Sequence, residues 1–170
     1  MFVGQNPGKD EDKAGKPFVG QAGNWLMRML QAIGHEREEV YITNTVKCWT
    51  PDNRLPSLDE MKNCYHWLTE EAQIVKPKLV IPMGAVALQA VLGAPPDIRI
   101  TEWHGVEGGS SVSVFKEAVI FPVYHPAVLL YNYERNYPVY CNDLVKLIKL
   151  LERMEIVTPN EENWQEDFAF

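Results

Sequence analysis

Apolar residues fall along this chain in two alternating rhythms, and the alternation predicts an α/β fold. Met1-Phe2-Val3 reads as a short strand, and it empties into a polar, glycine-rich stretch from Gly4 to Gly23. From Asn24 the spacing becomes helical, with Trp25, Leu26, Met29, Leu30 and Ile33 on one face and Gly34 as the stop. Val40 to Val46 is β-rich and predicts a second strand. A loop from Cys48 to Pro56 carries two prolines and an Asp-Asn turn. Ser57 and Glu60 form a capping box that opens a helix over 58–75, which Lys76-Pro77 ends. Leu79 to Gly84 is a buried strand running into a turn, followed by a helix over 85–92 that ends at Gly93. The segment 94–117 is irregular, and its Pro95-Pro96 and Gly108-Gly109-Ser110-Ser111 bracket pieces expected to form an edge hairpin. Ala118 to Tyr124 is the last strand and delivers His125-Pro126-Ala127 at its carboxyl end. A final helix is expected over about 138–154, with Val139, Leu144, Leu147, Ile148 and Leu151 on one face.

Strand followed by helix, repeated, implies a mostly parallel sheet covered on both faces. At 170 residues the chain fits one domain of ordinary size. We read it as a domain over 1–154 and an acidic tail over 155–170 that carries Trp164, Phe168 and Phe170. No apolar run approaches the ~20 residues that a membrane helix needs, so no membrane partner is expected. Met1 leads straight into the first strand, so no signal peptide is expected. Three cysteines, none in a CxxC pair, do not make a disulfide framework and favour a reducing, cytoplasmic location. A net charge of −7 argues against a broad basic face for duplex binding, yet leaves room for a local nucleic-acid site.

Long loops in compact domains are usually functional, and α/β sheets bind ligands beyond the carboxyl ends of their strands. Three loops, 4–23, 44–56 and 124–131, would converge there and supply Gln5, Asn6, Asp10, Glu11, Asp12, Phe18, Asn44 and His125. No Ser or Cys sits on a strand-to-helix elbow, so a hydrolase triad is not expected. GKPFVGQAG lacks the Gly-Lys-Ser/Thr ending of a Walker loop. An aromatic ring, amides, a histidine and carboxylates suit a flat, polar heterocycle. A ring can stack on a base, worth about 1–3 kcal/mol, and an amide can read its edge.

The motifs GQNPG (4–8), EDKAGKPFVGQAG (11–23), VYITNTVKC (40–48), NRLPSLDEMKNC (53–64), KPKLVIPMGAVALQAVLG (76–93) and YHPAVLL (124–130) follow one another in order. Together they resemble the uracil-DNA glycosylase superfamily, and most of all its family 4, thermophile-type branch. The resemblance implies a three-layer α/β/α fold with a central four-stranded, mostly parallel sheet. It implies a monofunctional DNA glycosylase of base excision repair, expected to act as a monomer inside the cell. Uracil, or a related damaged or modified pyrimidine, would be flipped out of DNA and cut from its sugar by water. Phe18 would stack on the base and Asn44 would read its edge. His125 would stabilise negative charge on the departing pyrimidine, and Gln5 and Asn6 would line the floor and position the water. Glu11 would face the sugar cation. Pro126, Ala127, and Leu129 or Leu130 would meet the DNA, one leucine wedging into the gap left by the flipped base.

Three departures qualify the resemblance. The family 4 branch usually reads Gly-Glu-Ala-Pro-Gly where this chain has Gly4-Gln5-Asn6-Pro7-Gly8; Asn6 resembles the mismatch-specific and single-strand-selective branches. An amide cannot take a proton, and loss of a general base costs about 10²–10⁴-fold, so slow turnover is expected. That branch also carries four cysteine ligands for a four-iron four-sulfur cluster. Cys48 and Cys64 match the two downstream ligands, Cys141 matches none, and no upstream pair is present in these residues. No metal or other cofactor is therefore expected, the alternative being a cluster completed by ligands upstream of residue 1. Tyr131-Asn132 stands where relatives often have Arg, which weakens a phosphate contact. A second reading fits the same departures: a domain that binds DNA without cutting it. The 155–170 tail would then dock a replication or repair partner.

Overall fold

The computed structural model describes residues 1–156. Four strands, β1 (Phe2–Gly4), β2 (Ile42–Asn44), β3 (Leu79–Pro82) and β4 (Val119–Ile120), form one sheet in the order β2-β1-β3-β4. Every strand pairing is parallel; an isolated parallel bridge, Met83–Val123, prolongs the β3–β4 pairing, and an antiparallel one joins Gly108 to Ile120. The helices are α1 (Lys9–Ala14), α2 (Gln21–Ala32), α3 (Leu58–Val75), α4 (Ala85–Leu92), α5 (Ile100–Trp103), α6 (Val128–Tyr131) and α7 (Tyr133–Arg153).

The two-residue period of the strands divides the core into two. Phe2, Leu79, Ile81, Met83, Phe121 and Val123 pack with Leu26, Met29 and Leu30 of α2 and with Leu144, Leu147 and Leu151 of α7. Val3, Val80 and Ile120 point the other way, onto Leu68 and Ala72 of α3 and Ala87 and Val91 of α4. A parallel sheet buried on both faces is the arrangement expected of such apolar strands. The fold is thus a three-layer α/β/α sandwich, as the motif order implied.

Several elements depart from the periodicity. A six-residue helix, α1, sits inside the 4–23 loop, and its Lys-Asp-Glu-Asp-Lys-Ala sequence offers no apolar stripe to predict it. Helix α2 begins three residues earlier than its pattern suggests, at Gln21, and α7 begins at Tyr133 rather than near 138. Asn132 caps α7 by accepting the Arg135 N–H at 3.3 Å, so Pro138 falls inside the helix. The expected edge hairpin of 94–117 is replaced by α5, a short 3₁₀ turn at Ser113–Phe115 and the single antiparallel bridge to Ile120. Helices α3 and α4 match their expected bounds, α3 through the Ser57–Glu60 capping box. The tail's docking segment, with Trp164, Phe168 and Phe170, lies outside the described residues.

Candidate active site

The carboxyl ends of β1, β2 and β4 open into one cavity of about 500 Å³. The neighbours of β1 lie on opposite sides of it, so chain connections leave it in both directions, which is where open α/β sheets bind ligands. Gln5, Asn6, Asp10, Glu11, Phe18, Asn44, His125, Ala127 and Leu130 all line this cavity.

Gly4, the last residue of β1, makes the close packing there possible. A Cβ at this position would lie 2.3 Å from Asn44 Oδ1 and 2.6 Å from Phe18 Cζ. Both side chains therefore occupy the space a larger residue would take. Phe18 itself has φ of 56°, in the left-handed region that a bulky residue avoids. The Arg37 guanidinium holds that turn by donating to the Pro17 and Phe18 carbonyls. Gly23 lets the Phe18 carbonyl approach α2. The Phe18 and His125 rings stack with centroids 5.6 Å apart.

Asn44 is only 5% exposed, and among the described residues its Oδ1 has no hydrogen-bond partner. A buried amide oxygen left unpaired costs about 1–3 kcal/mol, and its place at the cavity wall lets a ligand recover that. Lys47 holds the strand end beneath it, donating to the Asn44 carbonyl and the Thr43 hydroxyl at 2.8 Å and to Glu71 at 2.7 Å.

His125 follows β4, and its Nδ1 accepts the Ala127 N–H at 3.2 Å. That bond fixes the tautomer, leaving the proton on Nε2. Burial lowers the imidazole pKa from 6.5 to about 4, with the Glu11 carboxylate pulling weakly the other way. His125 is therefore a neutral donor at pH 7.

Glu11 has a role beyond the one expected of it. Its Oε2 accepts from Gly8 N at 3.1 Å, and its Oε1 from Val19 N at 3.0 Å and Gly20 N at 2.8 Å. The carboxylate thus pins both ends of the 8–20 loop together. Asn6 is equally tied: its Oδ1 accepts from Gln5 Nε2 at 2.9 Å, and its Nδ2 donates to the Pro7 carbonyl at 2.9 Å and to Thr50 Oγ1 at 3.1 Å.

The DNA-side residues divide. Leu130 is 44% exposed at the cavity rim, but Leu129 is 3% exposed and belongs to the core. The expectation that either leucine could wedge is corrected: the first turn of α6 turns Leu129 inward. Pro126 is likewise buried and does not line the cavity. Tyr131, 86% exposed, and Leu55 stand at the rim as well, side chains the sequence had not singled out for a role in holding the base. Cys48 is exposed, Cys64 half-buried and Cys141 buried. No group of three or more metal-ligating side chains converges among the described residues. Two thiols are half of what a four-iron cluster takes, so these residues do not by themselves fit one.

Comparison with known proteins identifies the family. The model of the uracil DNA glycosylase superfamily matches residues 1–151. The chain belongs to that superfamily. It is 42% identical over 135 residues to a type-4 uracil-DNA glycosylase of Sulfurisphaera tokodaii, covering 78% of this chain and 61% of the relative. A type-4 enzyme of Thermotoga maritima is 38% identical over 132 residues, covering 78% of this chain and 66% of the relative. The chain thus spans somewhat under two thirds of the length of these relatives. A DNA polymerase of Bacillus phage SP01 is 29% identical over 154 residues, which is 89% of this chain but 16% of the polymerase.

Proposed function

We propose that this superfamily member is a monofunctional DNA glycosylase that hydrolyses the N-glycosidic bond of uracil, or a closely related pyrimidine, in DNA. The observation that carries this reading is His125, whose Nδ1 takes a backbone N–H and whose lowered pKa keeps Nε2 a neutral donor. The names of the type-4 relatives support the choice of uracil.

A base turned out of DNA enters the cavity and stacks on Phe18, while the Asn44 amide meets its pairing edge. As the bond from sugar to base breaks, its electron pair leaves with the base and negative charge collects on the pyrimidine oxygen. His125 Nε2–H donates to that oxygen. A pre-aimed donor costs no reorganisation as charge develops, and such donors typically supply about 10²–10³-fold. The sugar, now a cation, takes the oxygen of a water held by the Asn6 carbonyl, and the proton given up neutralises the departed base. Asn6 orients this water and takes no proton. Glu11, which lines the same cavity, faces the sugar cation with its negative charge. Leu130, and not Leu129, fills the gap in the DNA, with Ala127 beside it. The domain acts as a monomer inside the cell, and it needs no ligand from Cys48 or Cys64.

The test is release of uracil from a labelled single-stranded oligonucleotide, read as alkali-induced breaks. Breaks made by the native protein and lost in His125→Ala support the reading; an intact oligonucleotide with the native protein overturns it. One observation favours a second reading, in which the domain holds DNA for replication: its likeness to a segment of the phage polymerase. Under that reading the native protein binds the oligonucleotide in a salt-dependent way without cutting it. The 155–170 tail would be the contact for a replication or repair partner.

A further inference from the structure

Thr50 lies outside the cavity lining and is 2% exposed, yet its hydroxyl is joined to the amide beside the proposed water. We propose that Thr50 is a positioning residue that sets which end of the Asn6 amide faces the reacting water. The proposal rests on the glycosylase reading given above.

Hydrogen-bond polarity fixes the arrangement. A backbone carbonyl only accepts, so at the 2.6 Å contact between Thr50 Oγ1 and the Arg54 carbonyl the hydroxyl must donate. A hydroxyl has one proton. Having spent it on Arg54, Thr50 can only accept from Asn6, 3.1 Å away, and the Asn6 atom facing it must be the NH₂ group. The Pro7 carbonyl, 2.9 Å from the same nitrogen, makes the same demand. Asn6 Oδ1 is then forced to the opposite side, where Gln5 Nε2 donates to it at 2.9 Å. The direction of donation runs unbroken from Gln5 through Asn6 and Thr50 to the Arg54 carbonyl.

This direction matters because the two ends of an amide have nearly the same shape and opposite polarity. A water that attacks the sugar must turn a lone pair toward it, so its protons must point at acceptors on the protein. An Asn6 carbonyl oxygen holds it that way, and an Asn6 NH₂ group would turn it around. A general base would tolerate some disorder in the water, because it pulls on the proton as well. An amide offers orientation alone, so its own orientation has to be fixed. The Arg54 end of the chain is anchored in turn: its guanidinium pairs with Glu60 at 2.7 Å, at the start of α3.

The experiment compares Thr50→Val, which keeps the shape and loses the hydroxyl, with Thr50→Ser, which keeps the hydroxyl. On a uracil-containing single-stranded oligonucleotide, Thr50→Val lowers kcat about tenfold with KM unchanged, while Thr50→Ser stays within about threefold of the native rate. In an Asn6→Ala background Thr50→Val has no further effect, as a residue acting through Asn6 requires. The Asn6 side-chain amide protons, followed by NMR, are distinct and slow to exchange in the native protein and in Thr50→Ser, and lose that protection in Thr50→Val. An unchanged kcat in Thr50→Val, a serine variant no better than valine, or an additive loss in the Asn6→Ala background overturns the proposal. If the native protein cuts no oligonucleotide, the glycosylase reading falls and the catalytic role of Thr50 with it. The NMR signals still decide whether Thr50 orients Asn6.

Discussion

Two histidines in this domain begin from similar surroundings and end with opposite characters. His125 stacks on Phe18, and His104 lies against Tyr124 with centroids 4.5 Å apart. The difference is what meets Nδ1. At His125 it is a backbone N–H, which can pair only with a deprotonated nitrogen. At His104 it is the Asp143 carboxylate, 2.7 Å away on α7 and 1% exposed. Gly105 folds so closely over that carboxylate that a Cβ there would lie 2.3 Å from Oδ1. The first arrangement makes an imidazole with a proton to offer to a ligand. The second makes a bolt that ties the turn after α5 to α7. A histidine's function is therefore set by the polarity of its first neighbour, which composition and spacing do not reveal.

The two histidines should differ most in activity. His125→Ala should cost about 10²–10³-fold in single-turnover rate while the urea midpoint stays near the native value. If stability fell and the rate did not, His125 would be the bolt. Asp143→Ala should do the reverse. It removes the buried partner of His104 and lowers stability by about 1–3 kcal/mol in urea unfolding, with the rate of the folded protein retained. A fall in that rate would show that the two histidines are coupled through Tyr124, which adjoins both.

The aromatic neighbours sharpen the contrast at smaller scale. Phe18→Leu should raise KM by several-fold, about 1 kcal/mol of lost stacking, and Tyr124→Leu should not. The smallest signal is in pH. His125 holds its proton less tightly folded, near pH 4, than unfolded, near 6.5. Between those values the unfolded chain binds more protons, so this group makes stability rise with pH across that window and adds no slope above it. The acid limb of the cleavage rate should likewise lie near pH 4, with activity kept at pH 5.5; a limb near 6.5 would mean an imidazole that charges freely.

Much of this was legible in the chain. The sheet, α3 and α4 follow from apolar runs, a capping box and glycine stops, all local signals. Asn44 and His125 stood out because they lie in the motifs that carry the resemblance, in loops expected at the ligand-binding edge of such a sheet. What stayed hidden depends on distant partners. Helix α1 has no buried face and is held by the grip of Glu11 on Gly8, Val19 and Gly20. Arg37 and Thr50 act on residues 19 and 44 positions away. The choice between Leu129 and Leu130 is made only when α6 packs on the core. The apolar face of α7 begins only at Val139, so its spacing did not reveal the first turns that the Asn132 cap opens.

The brevity of the strands has a consequence for motion. Thr45 N donates to the Gly4 carbonyl at 2.9 Å and Val46 N to that of Gln5 at 3.0 Å, just where the pocket begins. Fraying of a single rung at this border would carry Gln5 and Asn44 with it. Amide exchange at Thr45 and Val46 should accordingly slow when a ligand fills the cavity, so that two backbone protons serve as a native gauge of occupancy without any label on the DNA.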